Sequence, residues 1–201
     1  NVRVDAAGNG NKGDNYSWII EKVSELPVTI TAAGYASFYA PVAVELPDGV
    51  TAHTITYNTE LKTATLSEGL KTVPANTGVI LAGAVGDHNL TIIDVAEALE
   101  NENILTGTTA ATYIKDDAYV LGYINVDGEN VVGFGTAVKN QESQTSWKNN
   151  SHKAYLPKGA LPAVAQMSAG FRFEFSGTTT VEDVEIENER EEIYDLTGRK
   201  L

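Results

Sequence analysis

Three histidines, His53, His88 and His152, are the side chains in this chain best placed to exchange protons near neutral pH. They stand in unrelated contexts: His53 in an alternating strand-like run, His88 in an Asp-His-Asn turn, His152 after Asn150-Ser151. None has a second histidine at metal-ligand spacing, and no Gly-x-Ser-x-Gly elbow presents a serine nucleophile. Each is read as a surface residue. The chain has no cysteine, which removes thiolate nucleophiles, thiolate zinc sites and disulfides together. Glycoside hydrolysis needs two carboxylates about 5 to 10 Å apart. The 27 acidic residues sit mostly in turns and in the tail, where water solvates them. The Gly-Asn-Gly-Asn-Lys-Gly run at 8–13 lacks the Ser or Thr of a phosphate loop. Asp5, Asn9, Asn11 and Asp14 offer oxygen ligands but miss the EF-hand spacing, so they read as a loop. The expectation is a chain that is not an enzyme and uses no metal or cofactor.

Binding chemistry has better candidates. A sugar packs its C–H face on an aromatic ring while its hydroxyls need polar partners. Trp147 sits in Gln144-Thr145-Ser146-Trp147-Lys148-Asn149-Asn150, one large ring among amides and hydroxyls, so Trp147 and Asn149 are candidate ligand-binding residues. Tyr113 and Tyr123 join them, with Tyr35 as a further ring. Two placements of Trp147 fit this context: an exposed platform, or a ring tucked against a sheet to anchor a long loop. Phe171, Phe173 and Phe175 alternate with Arg172 and Glu174 and read as core.

The elements that must carry these residues are strands. Short β-branched and aromatic runs, such as Val28-Thr29-Ile30, Ala36-Ser37-Phe38-Tyr39 and Gly78-Val79-Ile80-Leu81, are separated by turn residues such as Pro47-Asp48-Gly49. Asp127-Gly128 between two apolar runs predicts a hairpin. The pattern predicts an all-β fold, an antiparallel sandwich or barrel with at most one or two short helices. Helix formers behind Asp94 place one of those at 94–102. Residues 1–26 are read as a loop and a strand, Tyr16 to Val23, that either packs onto the main domain as an added strand or is the remnant of an upstream domain; 27–176 form the main β domain; 177–201 form an acidic linker and a terminal strand motif. The net charge of −13 argues against nucleic acid as a partner, and no apolar run approaches the roughly 20 residues of a membrane span. The absence of an initiating methionine or signal peptide fits a fragment or a processed product.

Ala33-Gly34-Tyr35-Ala36-Ser37-Phe38-Tyr39-Ala40-Pro41-Val42-Ala43, then Val73-Pro74-Ala75-Asn76-Thr77-Gly78-Val79-Ile80-Leu81, and in order Leu105-Thr106-Gly107, Tyr119-Val120-Leu121, Asn150 to Leu156 and Phe171 to Phe175, resemble a module near the carboxy terminus of large Bacteroidetes surface and secreted proteins. The resemblance covers residues 27–201. The final nonapeptide, with Tyr194, Asp195, Leu196, Gly198 and Arg199, is similar to the start of the sorting domain of type IX secretion. That family continues through further strands where this sequence stops at Leu201, which fits a chain cut short or a shortened tail without sorting activity; a strand that merely finishes the fold explains the same residues. The resemblance implies an extracellular or outer-surface location and a non-catalytic module attached to upstream domains, with a structural or adhesion role. The alternative is a carbohydrate-binding accessory module of a glycan-degrading enzyme or surface glycan-binding protein. Partners are then a glycan or a host or cell-surface protein.

Overall fold

The computed structural model describes residues 22–60, 63–99, 102–126, 128–140, 145–166 and 170–175. The fold is all-β. In chain order the strands are β1 (Glu25–Ile30), β2 (Tyr35–Ala40), β3 (Ala43–Glu45), β4 (Thr51–His53), β5 (Ile55–Asn58), β6 (Thr63–Leu66), β7 (Thr72–Val73) and β8 (Thr77–Ala82). They continue as β9 (Gly86–Ile93), β10 (Thr106–Thr108), β11 (Thr112–Ile114), β12 (Ala118–Val126), β13 (Glu129–Thr136), β14 (Trp147–Asn149), β15 (Lys153–Pro157) and β16 (Gly170–Phe175). Helix among the described residues is confined to one 3₁₀ turn, Lys158–Ala160. The strand expected at Tyr16 to Val23 falls largely outside the described residues. β1 starts at Glu25 and so runs across the boundary expected after residue 26.

The strands form sheets ordered β1-β9-β3-β7, β2-β8-β4 and β10-β15-β12-β13-β16-β6-β5, with β11-β14 as a separate pair. Pairing is antiparallel except between β16 and β6, which run parallel. Side-chain alternation explains how the sheets stack. Leu26, Val28 and Ile30 of β1 share a core with Ala36, Phe38 and Ala40 of β2 and with Val79 and Leu81 of β8. Ile80, on the opposite face of β8, joins Ile55, Leu66, Tyr119, Phe134, Leu156 and Phe171 in a second core. The β2-β8-β4 sheet is therefore the middle layer, covered on both faces. A smaller cluster gathers Ala118, Ala137 and Trp147.

The Asp127-Gly128 hairpin forms as expected: β12 and β13 pair from Tyr119↔Thr136 to Val126↔Glu129, with Gly128 at φ 90° supplying the turn that L side chains resist. The helix expected at 94–102 is a correction. Residues 95–99 are non-helical coil, and Val95 is 82% exposed. Propensity without an apolar stripe to bury does not nucleate so short a helix. Asn103 takes over instead. Its Oδ1 accepts from Ile55 N at 3.2 Å and its Nδ2 donates to Gly78 O at 2.8 Å, tying this segment to β5 and β8.

A close approach to β2 fixes the path of β10. The strand crosses the base of Tyr39 at Gly107, where a Cβ would overlap the Tyr39 side chain and come within 2.8 Å of Lys153 O. Gly107→Ala should therefore lower stability in urea unfolding by about 1–3 kcal/mol through overpacking. Gly122→Ala, whose Cβ would meet nothing within 4 Å, should stay within about 0.5 kcal/mol of the parent.

Candidate functional site

β12 and β15 are neighbours that pair only at Ala118↔Pro157 and Tyr119↔Leu156. Beyond that point they part. On the opposite edge of β15, Lys153 to Tyr155 pair with β10, through Thr106↔Tyr155, Gly107↔Ala154 and Thr108↔Lys153. The β14–β15 turn is held towards β2: Tyr39 N donates to His152 O at 3.1 Å, and His152 Nδ1 donates to Tyr39 O at 3.1 Å. His152 adopts φ 56°, a left-handed turn unusual outside glycine. The divergence opens a cleft of about 470 Å³ between Val120 to Tyr123 of β12 and Lys153-Ala154 of β15, facing Tyr35 to Ser37 of β2. Its β12 wall, four residues long, spans about 13 Å at roughly 3.3 Å per residue.

The cleft exposes backbone as well as side chains. Lys158 N donates to Asp117 O at 2.9 Å, so ladder alternation turns the amides and carbonyls of Leu121 and Tyr123 to the same edge, where β15 has left. On β2, Tyr39 N bonds outward to His152 O and Tyr35 O accepts outward from Thr31 N, which by alternation points the Ser37 backbone into the cleft.

The candidate residues divide sharply. Tyr123, 65% exposed, and half-buried Tyr35 both line the cleft, with Trp147 and Asn149. Trp147 is not an exposed platform. It is 3% exposed, its Nε1 donates to Asp116 O at 2.9 Å, and its ring meets Tyr155 edge-on at 5.1 Å, so it is the anchored placement that occurs. An indole that reaches a carbonyl with its N–H gains burial without stranding its donor, which the polar flanking sequence conceals. Asn149 is likewise a tie: its Nδ2 donates to Thr108 Oγ1 and Lys153 O, both at 2.9 Å, joining β14 to β10 and β15. Tyr113 is 61% exposed on β11, opposite Lys148 in register, and does not line the cleft. Tyr194, Asp195, Leu196, Gly198 and Arg199 lie outside the described residues, as do Asp5, Asn9, Asn11 and Asp14.

His53 is another correction. It is buried at 5% exposure, its Nδ1 donates to Ser67 O at 2.8 Å and its Nε2 lies 3.0 Å from Thr51 Oγ1, so the ring cross-links β4 to the segment after β6. His88 Nε2 donates to Ala84 O at 2.8 Å and steadies the connection from β8 to β9, which lie in different sheets. No group of three or more His, Cys, Asp or Glu side chains among the described residues could hold a metal ion.

Lys153 is the cleft residue that sequence reasoning passed over. Along β15, Leu156 faces the second core and buried Ala154 shares its face, while Lys153 shares the face of Tyr155, the side on which Trp147 lies. Burial pulls the Lys153 ammonium below the usual lysine range. Among the described residues, no carboxylate pairs with it and no Asp or Glu lines the cleft. The nearby Asp117 is already engaged: a hydrogen bond and the charge of Lys139, 2.8 Å away, hold its carboxyl below the usual range. A larger hollow of about 1070 Å³ lies by Ser67 to Thr72, carries Glu68, Glu97 and Glu102, and has no aromatic ring in its lining.

These roles separate by stability. Trp147→Ala should cost about 3–5 kcal/mol in chemical denaturation, the loss expected for a buried aromatic, while Tyr123→Ala should change stability by less than about 0.5 kcal/mol.

Comparison with protein-family models finds no match, and neither a curated protein nor a solved structure matches the chain.

Proposed function

We propose that this chain is a non-catalytic, ligand-binding β module of a larger secreted or outer-surface protein, and that the cleft between β12 and β15 binds a glycan. The observation that carries this reading is the cleft itself. It combines an exposed Tyr123 ring and the half-buried Tyr35 ring with strand-edge amides and carbonyls that have no strand partner among the described residues. Such a surface offers stacking for the apolar face of a sugar and hydrogen bonds for its hydroxyls. The cleft volume lies within the roughly 300–1,000 Å³ common to small-ligand sites.

A second reading, adhesion to a host or cell-surface protein, draws on the free β12 edge, since an extended peptide can add a strand there. A glycan array probed with the full chain and with Tyr123→Ala separates the two. Glycan binding by the parent that falls at least about tenfold in the variant, with an unchanged melting temperature, supports the sugar site. Binding that Tyr123→Ala leaves intact excludes this cleft.

A further inference from the structure

The cleft has a charge opposite to that of the chain around it. The protein carries −13 overall, yet the described residues that line this cavity include two lysines, Lys148 and Lys153, and no carboxylate. Lys148 sits at the rim, exposed on β14. Lys153 is half-buried on the wall. A desolvated ammonium without a counter-ion is unfavourable in the empty protein and gains most when a ligand brings the missing negative charge. From this we infer that the cleft selects an anionic sugar, a saccharide carrying a carboxylate or sulfate, with the Lys153 ammonium pairing with that group while Tyr123 stacks on the ring. The inference rests on the glycan reading of the cleft and adds the class of glycan.

The shape of the cleft favours a sugar over an acidic peptide. β12 and β15 rejoin at Tyr119↔Leu156 and Ala118↔Pro157, so the cleft is blind at one end. A peptide adding to the β12 edge as a regular strand meets that junction after Leu121, which leaves Leu121 and Tyr123 as the cleft's only outward-facing ladder positions on the β12 wall. The end of a saccharide chain needs no such continuity. Its hydroxyls can use the Leu121, Tyr123 and Ser37 backbone groups individually, with the acidic substituent at Lys153. A charged group at this partly desolvated site also sets specificity, because a neutral sugar would leave the ammonium unpaired.

The test is an array of neutral, uronate-bearing, sialylated and sulfated oligosaccharides, followed by calorimetry of the strongest hits against the parent chain, Lys153→Met and Lys153→Arg. The expected result is binding concentrated on acidic glycans, a loss of about tenfold or more in Lys153→Met, substantial recovery in Lys153→Arg, and weakening as salt rises. Carboxyl reduction or desulfation of the hit should reproduce the Lys153→Met loss. Lys153→Met should melt no lower than the parent, because it removes a desolvated charge, so lost binding is not lost folding. Binding of neutral glycans that ignores both salt and Lys153→Met overturns the anionic preference and leaves the glycan reading standing. No glycan binding at all overturns both. Competition by a penta-glutamate peptide as effective as the acidic glycan itself overturns the sugar assignment in favour of an acidic protein segment.

Discussion

The fold depends on β8 being buried from both sides. Val79, Ile80 and Leu81 are each fully buried, with Val79 and Leu81 turned to one core and Ile80 to the other. Each such side chain contributes about 1.5–3 kcal/mol of burial, and because successive residues point to opposite faces, one short strand joins two cores. The β1-β9-β3-β7 sheet can cover only one face of the middle layer, and the seven-stranded sheet must take the other. Asn103 reinforces the same strand from its edge by donating to Gly78 O.

The middle layer also determines where the large sheet opens. β15 lies between β10 and β12 and meets each on its own edge over only part of its length. Near its start it follows β10, which passes close to Tyr39 of β2 through the space left at Gly107, and His152 holds the preceding turn against the Tyr39 backbone. Near its end it follows β12. Because the β12 ladder is confined to the end of this five-residue strand, a wedge of β12 edge is left with no strand partner among the described residues. An unpaired edge invites unwanted pairing unless it is short or covered, and here it is short, blind at one end and faced by β2.

Charge and aromatic content make that wedge different from the rest of the surface. Trp147 and Asn149 build its floor and corner rather than offering themselves to a ligand, since the indole N–H and both amide hydrogens are spent on the protein. Tyr35, Tyr123 and Lys153 are the side chains left with contact area or charge to give. The binding role of the cleft therefore falls on residues around the tryptophan and not on the tryptophan itself.

The strand content, the Asp127-Gly128 hairpin and the core role of Phe171 were legible in the sequence, because they arise from alternation and turn chemistry acting over a few residues. The run Gly78 to Leu81 likewise marked a strand. The coil at 95–99, the β14 strand inside a polar stretch and the burial of His53 were not legible, since each depends on a partner distant in sequence: the absence of a surface to cover Val95, the β11 partner across from Trp147, and Ser67 O within reach of an imidazole. Sequence placed Trp147, Asn149, Tyr123 and Tyr35 among candidates for binding, and three-dimensional structure alone brought them to one cleft, left Tyr113 outside it and added Lys153. Local propensity determines that strands form, whereas a cleft made by two strands parting depends on where each ladder ends against its neighbour, and that is decided only once the sheets have assembled.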